Sequence, residues 1–221
     1  MFDVNETLVD IDALAPLFTD LFGNRRVLRE WFAQLVMYSM TATLAENYVN
    51  FSSLAQGVLR MLGDIYEIDV TDGHLARLRT GLLTMPAHPD AAEGLAVLRN
   101  NGFRLVTLTN SPPNPYGPTA LQNSGLARFF ELQLSVDACR AFKPSPTVYR
   151  YVCETLGVAP ADCMMVAAHV WDILGAQNVG FSGALIARPG NPPLPVDGLA
   201  QPDLVATDVR QLAGQLITGR R

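Results

Sequence analysis

The first third of the chain carries apolar residues at helical spacing. Apolar side chains recur every three or four positions in 14–21 and again in 28–36. The ranges 51–62 and 72–83 show the same period. These patterns predict a block of helices within residues 12–84.

From residue 89 onward, strands alternate with helices. The predicted strands are 104–109, 131–135, 164–167, 184–186 and 204–206, and the predicted helices are 91–100, 119–126, 146–156 and 172–178. Such alternation is typical of a parallel sheet covered on both faces, so the expected fold class is α/β with a doubly wound parallel sheet. Only Met1 and Phe2 precede Asp3, which makes the predicted first strand unusually short.

Four polar segments lie at the carboxyl ends of predicted strands or a few residues after them. They are Asp3, 109–111, Lys143 and 168–172. Sheets of this kind bind ligands beyond the carboxyl ends of their strands, so the four segments are expected to form one site. The helical block lies between the first strand and the rest. It is therefore predicted to be an inserted cap at 12–86, with the α/β core formed by 1–11 and 87–221.

Composition narrows the class of protein. The 221 residues are 49% hydrophobic and 17% charged, which fits a well-packed soluble enzyme. The net charge of −5, without a run of basic residues, argues against nucleic acid and anionic membranes as partners. The apolar stretches are too short to span a membrane, and no secretory signal precedes Asp3. Three cysteines without a CxxC pair favour a reducing cytoplasm.

Asp3 is the first candidate for chemistry. A carboxylate held at the end of a strand is well placed to act as a nucleophile. Asn5, two positions later, cannot give a proton to a leaving group, so the reaction should need no general acid there. The alternative is a structural aspartate at a strand-to-loop junction, and Thr7 and Asp10 could equally cap the first cap helix.

Lys143 and His169 are two further candidates. Lys143 is the only lysine in the chain and is followed by a proline, so a stiff loop would hold its ammonium against a buried carboxylate. A neutral His169 near Asp172 could take a proton from the water that hydrolyses an aspartyl ester. His169 could equally be a buried histidine that holds its loop in shape.

In their order along the chain, the four segments resemble the four motifs of the haloacid dehalogenase superfamily. The closest match is to its 2-haloacid dehalogenase (type II) branch, which has a non-acidic residue at the place of Asn5. The resemblance covers nearly the whole chain. It includes Asn110, the Lys143–Pro144 pair with Tyr149 six residues after the lysine, and Trp171–Asp172. It implies a Rossmann-like core with an inserted helical cap.

The resemblance also implies an activity, the hydrolytic dehalogenation of short 2-haloalkanoic acids without a metal or an organic cofactor. Asp3 would displace halide to form an ester, and water positioned by Asp172 and His169 would hydrolyse that ester. The candidate catalytic residues are Asp3, Thr7, Lys143, His169 and Asp172. The candidate substrate and halide ligands are Asn5, Arg29, Thr109, Asn110, Ser111, Tyr149 and Trp171. The partner would be a small halogenated acid, and a homodimer built on the cap is common in this family.

The sequence departs from the family pattern at several positions. Ala167 and His169 stand where serine and asparagine are usual, and Trp31 stands at the place of a cap arginine, a task that Arg29 or its neighbours Arg25 and Arg26 could take over. Ala168 replaces an acid that phosphatases of the superfamily use for magnesium. The alternatives are therefore a magnesium-dependent phosphatase or phosphonate hydrolase, which these losses disfavour, and a non-catalytic binding protein.

Overall fold

A computed structural model describes residues 1–219 of the chain. Its α-helices are α1 (Ala15–Phe22), α2 (Val27–Leu44), α3 (Phe51–Ile65), α4 (Asp72–Leu83), α5 (Ala91–Asn100), α6 (Ala120–Asn123), α7 (Pro146–Leu156), α8 (Val170–Gln177) and α9 (Val209–Thr218). Its strands are β1 (Val106–Thr109), β2 (Leu132–Ser135), β3 (Met164–Ala167), β4 (Ser182–Ile186) and β5 (Leu204–Ala206). In this part of the chain no helix has both the length and the apolar character needed to cross a membrane.

The strands are parallel throughout. β1 pairs with β2, and β3 with β4, which in turn pairs with β5. Phe2 joins the two groups, because it forms parallel bridges to Thr107 in β1 and to Val166 in β3. The sheet order is therefore β2–β1–Phe2–β3–β4–β5. The predicted short first strand is represented by these bridges alone, and Asp3 follows at the centre of the sheet.

Two pairs of helices pack with this sheet. α5 lies against α9, and α7 lies against α8, which also contacts β3 and β4. The order of the strands and the helix pairs confirm the predicted α/β fold with a doubly wound parallel sheet. Met165 and Leu185, in the middle of the sheet, are fully buried, as expected for strands covered by helices.

Helices α1 to α4 form the block predicted from the helical periodicity. α2 packs against α1 and α3, and α4 contacts both α1 and α3. Two hydrogen bonds fasten this block to the sheet side: the backbone N–H of Phe142 donates to Thr43 Oγ1 (2.9 Å), and Tyr48 Oη donates to Asp137 Oδ1 (2.7 Å). The division into a cap at 12–86 and a core stays a prediction.

The element boundaries agree with the sequence patterns except at a few ends. The helices Ala91–Asn100 and Pro146–Leu156 and the strand Met164–Ala167 match the predicted bounds. The helix predicted at 119–126 spans only Ala120–Asn123, because Gly125 adopts a left-handed conformation (φ 75°) that ends it. α8 begins two residues earlier than predicted.

Candidate active site

Asp3 lies at the centre of a buried polar cluster and is only 4% exposed. Its Oδ1 accepts a hydrogen bond from Lys143 Nζ (2.7 Å), and its Oδ2 accepts one from Thr7 Oγ1 (2.8 Å). Burial alone would raise the pKa of Asp3, but Lys143 and His169 outweigh burial and hold that pKa well below its usual range. Asp3 is therefore a carboxylate anion at neutral pH.

Lys143 connects Asp3 with a second carboxylate. Its Nζ donates to Asp3 Oδ1 and to Asp172 Oδ2, both at 2.7 Å, and to the carbonyl oxygen of Leu108 (3.0 Å). Burial alone would lower the pKa of Lys143, but Asp172 and Asp3 raise it above its ordinary value of 10.5. The ammonium is thus fixed in its charged form between the two carboxylates.

Asp172 uses both of its carboxylate oxygens. Oδ1 accepts a hydrogen bond from Tyr149 Oη (2.6 Å), while Oδ2 accepts the one from Lys143. Burial and the negative charge of Asp3 raise the pKa of Asp172, against the opposing effect of Lys143. Gly175 allows this contact, because a Cβ there would lie 2.5 Å from Pro144 Cβ and 2.8 Å from Tyr149 Cε2.

The segment after β1 forms a hydrogen-bonded turn beside Asp3. The backbone N–H of Ser111 donates to Thr109 Oγ1 (3.1 Å), and Asn5 Nδ2 donates to Ser111 Oγ (3.2 Å). The amide oxygen of Asn110 accepts from the backbone N–H of Lys143 (3.1 Å), which fixes the amide. Asn5, Thr109 and Ser111 also line a pocket of about 350 Å³, large enough for a small organic acid.

His169 contacts the nucleophile candidate from the other side. Its Nε2 is 2.7 Å from Glu6 Oε2, and its Nδ1 is 3.4 Å from Asp3 Oδ2 without forming a hydrogen bond. The ring stacks on Trp171, with centroids 5.0 Å apart, and faces Phe32. Burial alone would lower the pKa of His169, but Asp3 and Glu6 outweigh it and raise the pKa to about 9. His169 is thus an imidazolium at neutral pH.

Glu6 is the site residue that the sequence patterns did not reveal. It is 3% exposed, and its backbone lies in the left-handed region (φ 61°) that favours glycine. Its carboxylate contacts His169 and forms an ion pair with Arg29, while its carbonyl oxygen lies 3.0 Å from His88 Nε2. Burial would raise the pKa of Glu6, but His169 and Arg29 lower it. A glutamate in a turn directly after a candidate nucleophile was the only available signal.

Arg29 reaches the site through Glu6. Besides that ion pair, its guanidinium lies 3.3 Å from the carbonyl oxygen of Pro189 and 3.8 Å from Asp12 Oδ1. Trp31, at the position of the family's arginine, is instead a fully buried core residue whose Nε1 donates to the carbonyl oxygen of Ala55 (3.0 Å). A direct contact of Arg29 with substrate stays a prediction.

The predicted site residues therefore come together at one edge of the sheet. Asp3 is contacted by Thr7, Lys143 and His169, and Asp172 is contacted by Tyr149. Trp171 stacks on the ring of His169. The turn after β1 contains Thr109, Asn110 and Ser111, and Asn5 forms a hydrogen bond to it. Among residues 1–219, no group of three or more His, Cys, Asp or Glu side chains is arranged to hold a metal ion. The ammonium of Lys143 is the cation between Asp3 and Asp172.

The raised pKa of His169 predicts how stability depends on pH. A group whose pKa rises from 6.5 to about 9 on folding stabilises the protein fully below pH 6.5, and this stabilisation is lost as the pH rises to about 9. The loss amounts to about 3 kcal/mol at most. We expect the free energy of unfolding of the wild type, measured with urea, to fall over this range relative to His169→Gln.

Comparing the wild type with His169→Gln cancels the contributions of the other titratable groups, which both proteins share. The buried amino group of Met1 has a pKa lowered to about 6 by burial, so its contribution increases with pH and would mask part of the effect in the wild type alone. His74→Gln, in the first turn of α4, is the matched control. A constant difference between wild type and His169→Gln from pH 6 to pH 9.5 would show that folding does not raise the pKa of His169.

Comparisons with known proteins show which family the chain is similar to. The family model for haloacid dehalogenase-like hydrolases matches residues 1–180. The chain is 32% identical to (S)-2-haloacid dehalogenase 4A of Burkholderia cepacia over 87% of this chain and 84% of the relative. It is 30% identical to the (S)-2-haloacid dehalogenase of Xanthobacter autotrophicus, over 85% and 74%. A solved L-2-haloacid dehalogenase of Xanthobacter autotrophicus with covalently bound chloropropionic acid superposes with a TM-score of 0.86, at 27% identity over 100% and 98% of the two chains.

Proposed function

This chain belongs to the haloacid dehalogenase-like hydrolases, and we propose that it hydrolyses short 2-haloalkanoic acids to 2-hydroxy acids through an ester on Asp3. The observation that carries the proposal is the buried Asp3 anion, which Lys143 and Thr7 hold in place by hydrogen bonds. The relatives named as 2-haloacid dehalogenases, one of them with chloropropionic acid covalently bound, support the same reaction.

In the first step, an oxygen of Asp3 attacks the carbon next to the substrate carboxylate. The carbon–halogen bond breaks, and halide leaves with the bonding electrons. Halide is a stable anion that needs no proton, in keeping with Asn5 at a position where an acid would otherwise be needed. Asn110, whose amide is fixed by Lys143, would receive the halide. Thr109 and Ser111, with the pocket beside them, would hold the substrate carboxylate.

In the second step, water attacks the carboxyl carbon of Asp3 and releases the 2-hydroxy acid. Asp172 and His169 would position that water. Lys143 would stabilise the carboxylate as it forms again, because its ammonium already lies 2.7 Å from Asp3 Oδ1. Tyr149 and Trp171 would keep Asp172 and His169 in place through the hydrogen bond and the ring contact described above.

The names of the relatives favour the S enantiomer as the preferred substrate. The proposed partner is therefore a small (S)-2-halogenated acid. The cytoplasm is the proposed compartment, on the basis of the cysteine usage. A homodimer formed through the cap is the proposed assembly, and exposed Leu44 at the end of α2 is one apolar residue available for it.

The decisive experiment measures halide release from chloroacetate, fluoroacetate and the two enantiomers of 2-chloropropionate, with EDTA present. We expect release from the S enantiomer to exceed that from the R enantiomer, and EDTA to leave the rate unchanged. The reason for the second expectation is that Lys143 supplies the cation between Asp3 and Asp172.

The same assay distinguishes the alternative activities. Phosphate release from phosphate monoesters that requires magnesium, together with no halide release, would replace the proposal with a phosphatase. Binding of 2-chloropropionate without any turnover would indicate a non-catalytic binding protein on this fold.

A further inference from the structure

Three carboxylates and three cations form a connected, charge-balanced cluster around Asp3. The carboxylates belong to Asp3, Glu6 and Asp172, and the cations to Arg29, Lys143 and His169. We propose that Glu6 and His169 form a carboxylate–imidazole pair that becomes the base of the hydrolytic step when Asp3 is esterified. This inference rests on the proposed function and adds to it a positioning residue, Glu6, and the identity of the base.

The hydrogen bonds indicate which group is free to act on water. Both oxygens of Asp172 already accept hydrogen bonds, from Tyr149 and from Lys143. His169 Nδ1, by contrast, is buried without a hydrogen-bond partner and points to Asp3 Oδ2 at 3.4 Å. A water that attacks the carboxyl carbon of Asp3 would lie next to this nitrogen. His169 is therefore better placed than Asp172 to take the proton.

The charges explain why the base would form only after the first step. In the resting enzyme the anions of Asp3 and Glu6 keep His169 protonated, so Nδ1 has no lone pair to offer. Esterification removes the charge of Asp3 and leaves one cation in excess in the buried cluster. The remaining charged group in contact with His169 is then Glu6, which stays paired with Arg29, while Lys143 stays paired with Asp172. The imidazolium is the member of this cluster that loses its proton most readily, and its proton passes to solvent.

The proton balance closes over one turnover. Asp3 forms a bond to the substrate carbon, and halide leaves. The imidazolium of His169 then releases one proton to solvent. Water adds its oxygen to the carboxyl carbon of Asp3 and gives one proton to His169 Nδ1. The bond from that carbon to the alkoxide oxygen breaks, and the second proton of the water goes to the alkoxide. Asp3 is again an anion, His169 is again a cation, and the net products are halide, 2-hydroxy acid and one proton.

Glu6 serves this step as a positioning residue. Its hydrogen bond to Nε2 turns Nδ1 toward Asp3, and Trp171 and Phe32 limit rotation of the ring. The backbone of Glu6 lies in the left-handed region, which is unfavourable for a residue other than glycine. Contacts with Arg29, through the side chain, and with His88, through the carbonyl oxygen, hold Glu6 in that conformation.

The test separates ester formation from ester hydrolysis in Glu6→Gln and His169→Gln. Each variant is mixed with excess (S)-2-chloropropionate, and chloride and lactate are quantified by rapid quench. We expect a burst of chloride close to one equivalent per site, with lactate formation slowed roughly 10²–10⁴-fold in His169→Gln and about 10²-fold in Glu6→Gln. Mass spectrometry should then find the propionate group on the peptide that contains Asp3.

Two control variants, together with the outcomes that would contradict the inference, allow it to be tested separately from the proposed function. Glu67→Gln replaces an exposed glutamate that is also left-handed (φ 57°), and His74→Gln replaces a histidine in the first turn of α4, so both should turn over like the wild type. Unchanged turnover in Glu6→Gln and His169→Gln would overturn the inference. So would an equal slowing of chloride and lactate without an adduct, which leaves the proposed function intact. Absence of chloride release from the wild type would overturn both.

A second measurement does not depend on turnover. Asp3→Asn removes the same charge that esterification removes, and it can be studied at equilibrium. We expect the pKa of the His169 ring, followed by NMR and assigned with His169→Gln, to be lower in Asp3→Asn than in the wild type by at least about one unit. Equal titration in the two proteins would show that the charge of Asp3 does not control the base, and the inference would be wrong.

Discussion

Asparagine in place of Asp3 is expected to lower halide release at least about 10⁴-fold, because it removes the nucleophile on which both steps of the reaction depend. The amide is nearly isosteric with the carboxylate but is a far weaker nucleophile. Stability should change much less than activity, since the cluster loses one anion and His169 can lose its proton in response. Chloride release from (S)-2-chloropropionate and urea unfolding of the same preparation measure the two effects.

Asp20→Asn is the matched control for this substitution. Asp20 lies on the exposed side of α1 and pairs with Arg77, so the change should leave halide release as in the wild type. No covalent adduct should form on the Asp3→Asn protein, whereas quenched wild type should carry one. Substantial halide release from the variant, or an adduct on another residue, would mean that Asp3 is not the nucleophile.

The position of the site was predictable because parallel sheets bring the carboxyl ends of their strands to one edge. Asp3, Asn110 and Asp172 are far apart in sequence, yet Asn110 and Asp172 each come after a recognisable apolar strand. Their convergence therefore required only the order of strands and helices, which hydrophobic periodicity reports well. For Lys143 the sequence predicted an ammonium held against one buried carboxylate, whereas the structure places it between two, Asp3 and Asp172.

The ion pairs around Glu6 could not be predicted in the same way. They depend on a left-handed backbone at a residue type that rarely adopts it, and on Arg29 reaching across from α2. Neither feature leaves a periodic trace in the sequence. The charge of His169 follows from these contacts, so the sequence suggested a neutral base or a structural residue, whereas the folded protein holds an imidazolium.

The exact ends of the helices could not be predicted from hydrophobic periodicity either. A helix end is decided by single residues, such as Gly125 after α6. α8 begins at Val170, ahead of the predicted start at residue 172, since the extended backbone of His169 allows the helix to start directly after it. In this arrangement His169 Nδ1 lies 3.4 Å from Asp3 Oδ2, and Asp172 Oδ2 lies 2.7 Å from Lys143 Nζ.

Lys143→Met is expected to have the second largest effect and to reduce both stability and activity. Lys143 is 1% exposed and lies between Asp3 and Asp172, so its removal leaves two buried carboxylates without their shared cation. Removing one partner of a buried ion pair costs about 3–5 kcal/mol, and here one carboxylate should take up a proton in response. Urea unfolding should show this loss at pH 7, and halide release should fall at least about 10²-fold.

The double variant Lys143→Met/Asp172→Asn separates the two effects of the lysine. Without the charge of Asp172, Asp3 faces His169 as its remaining cation, so charge balance is restored and much of the lost stability should return. Activity should not return, because the carboxylate that forms again in the second step still lacks the ammonium. If the double variant is no more stable than Lys143→Met, the lysine acts through packing rather than charge. If its halide release recovers along with stability, Lys143 is a structural residue, and the role proposed for it in the second step is wrong.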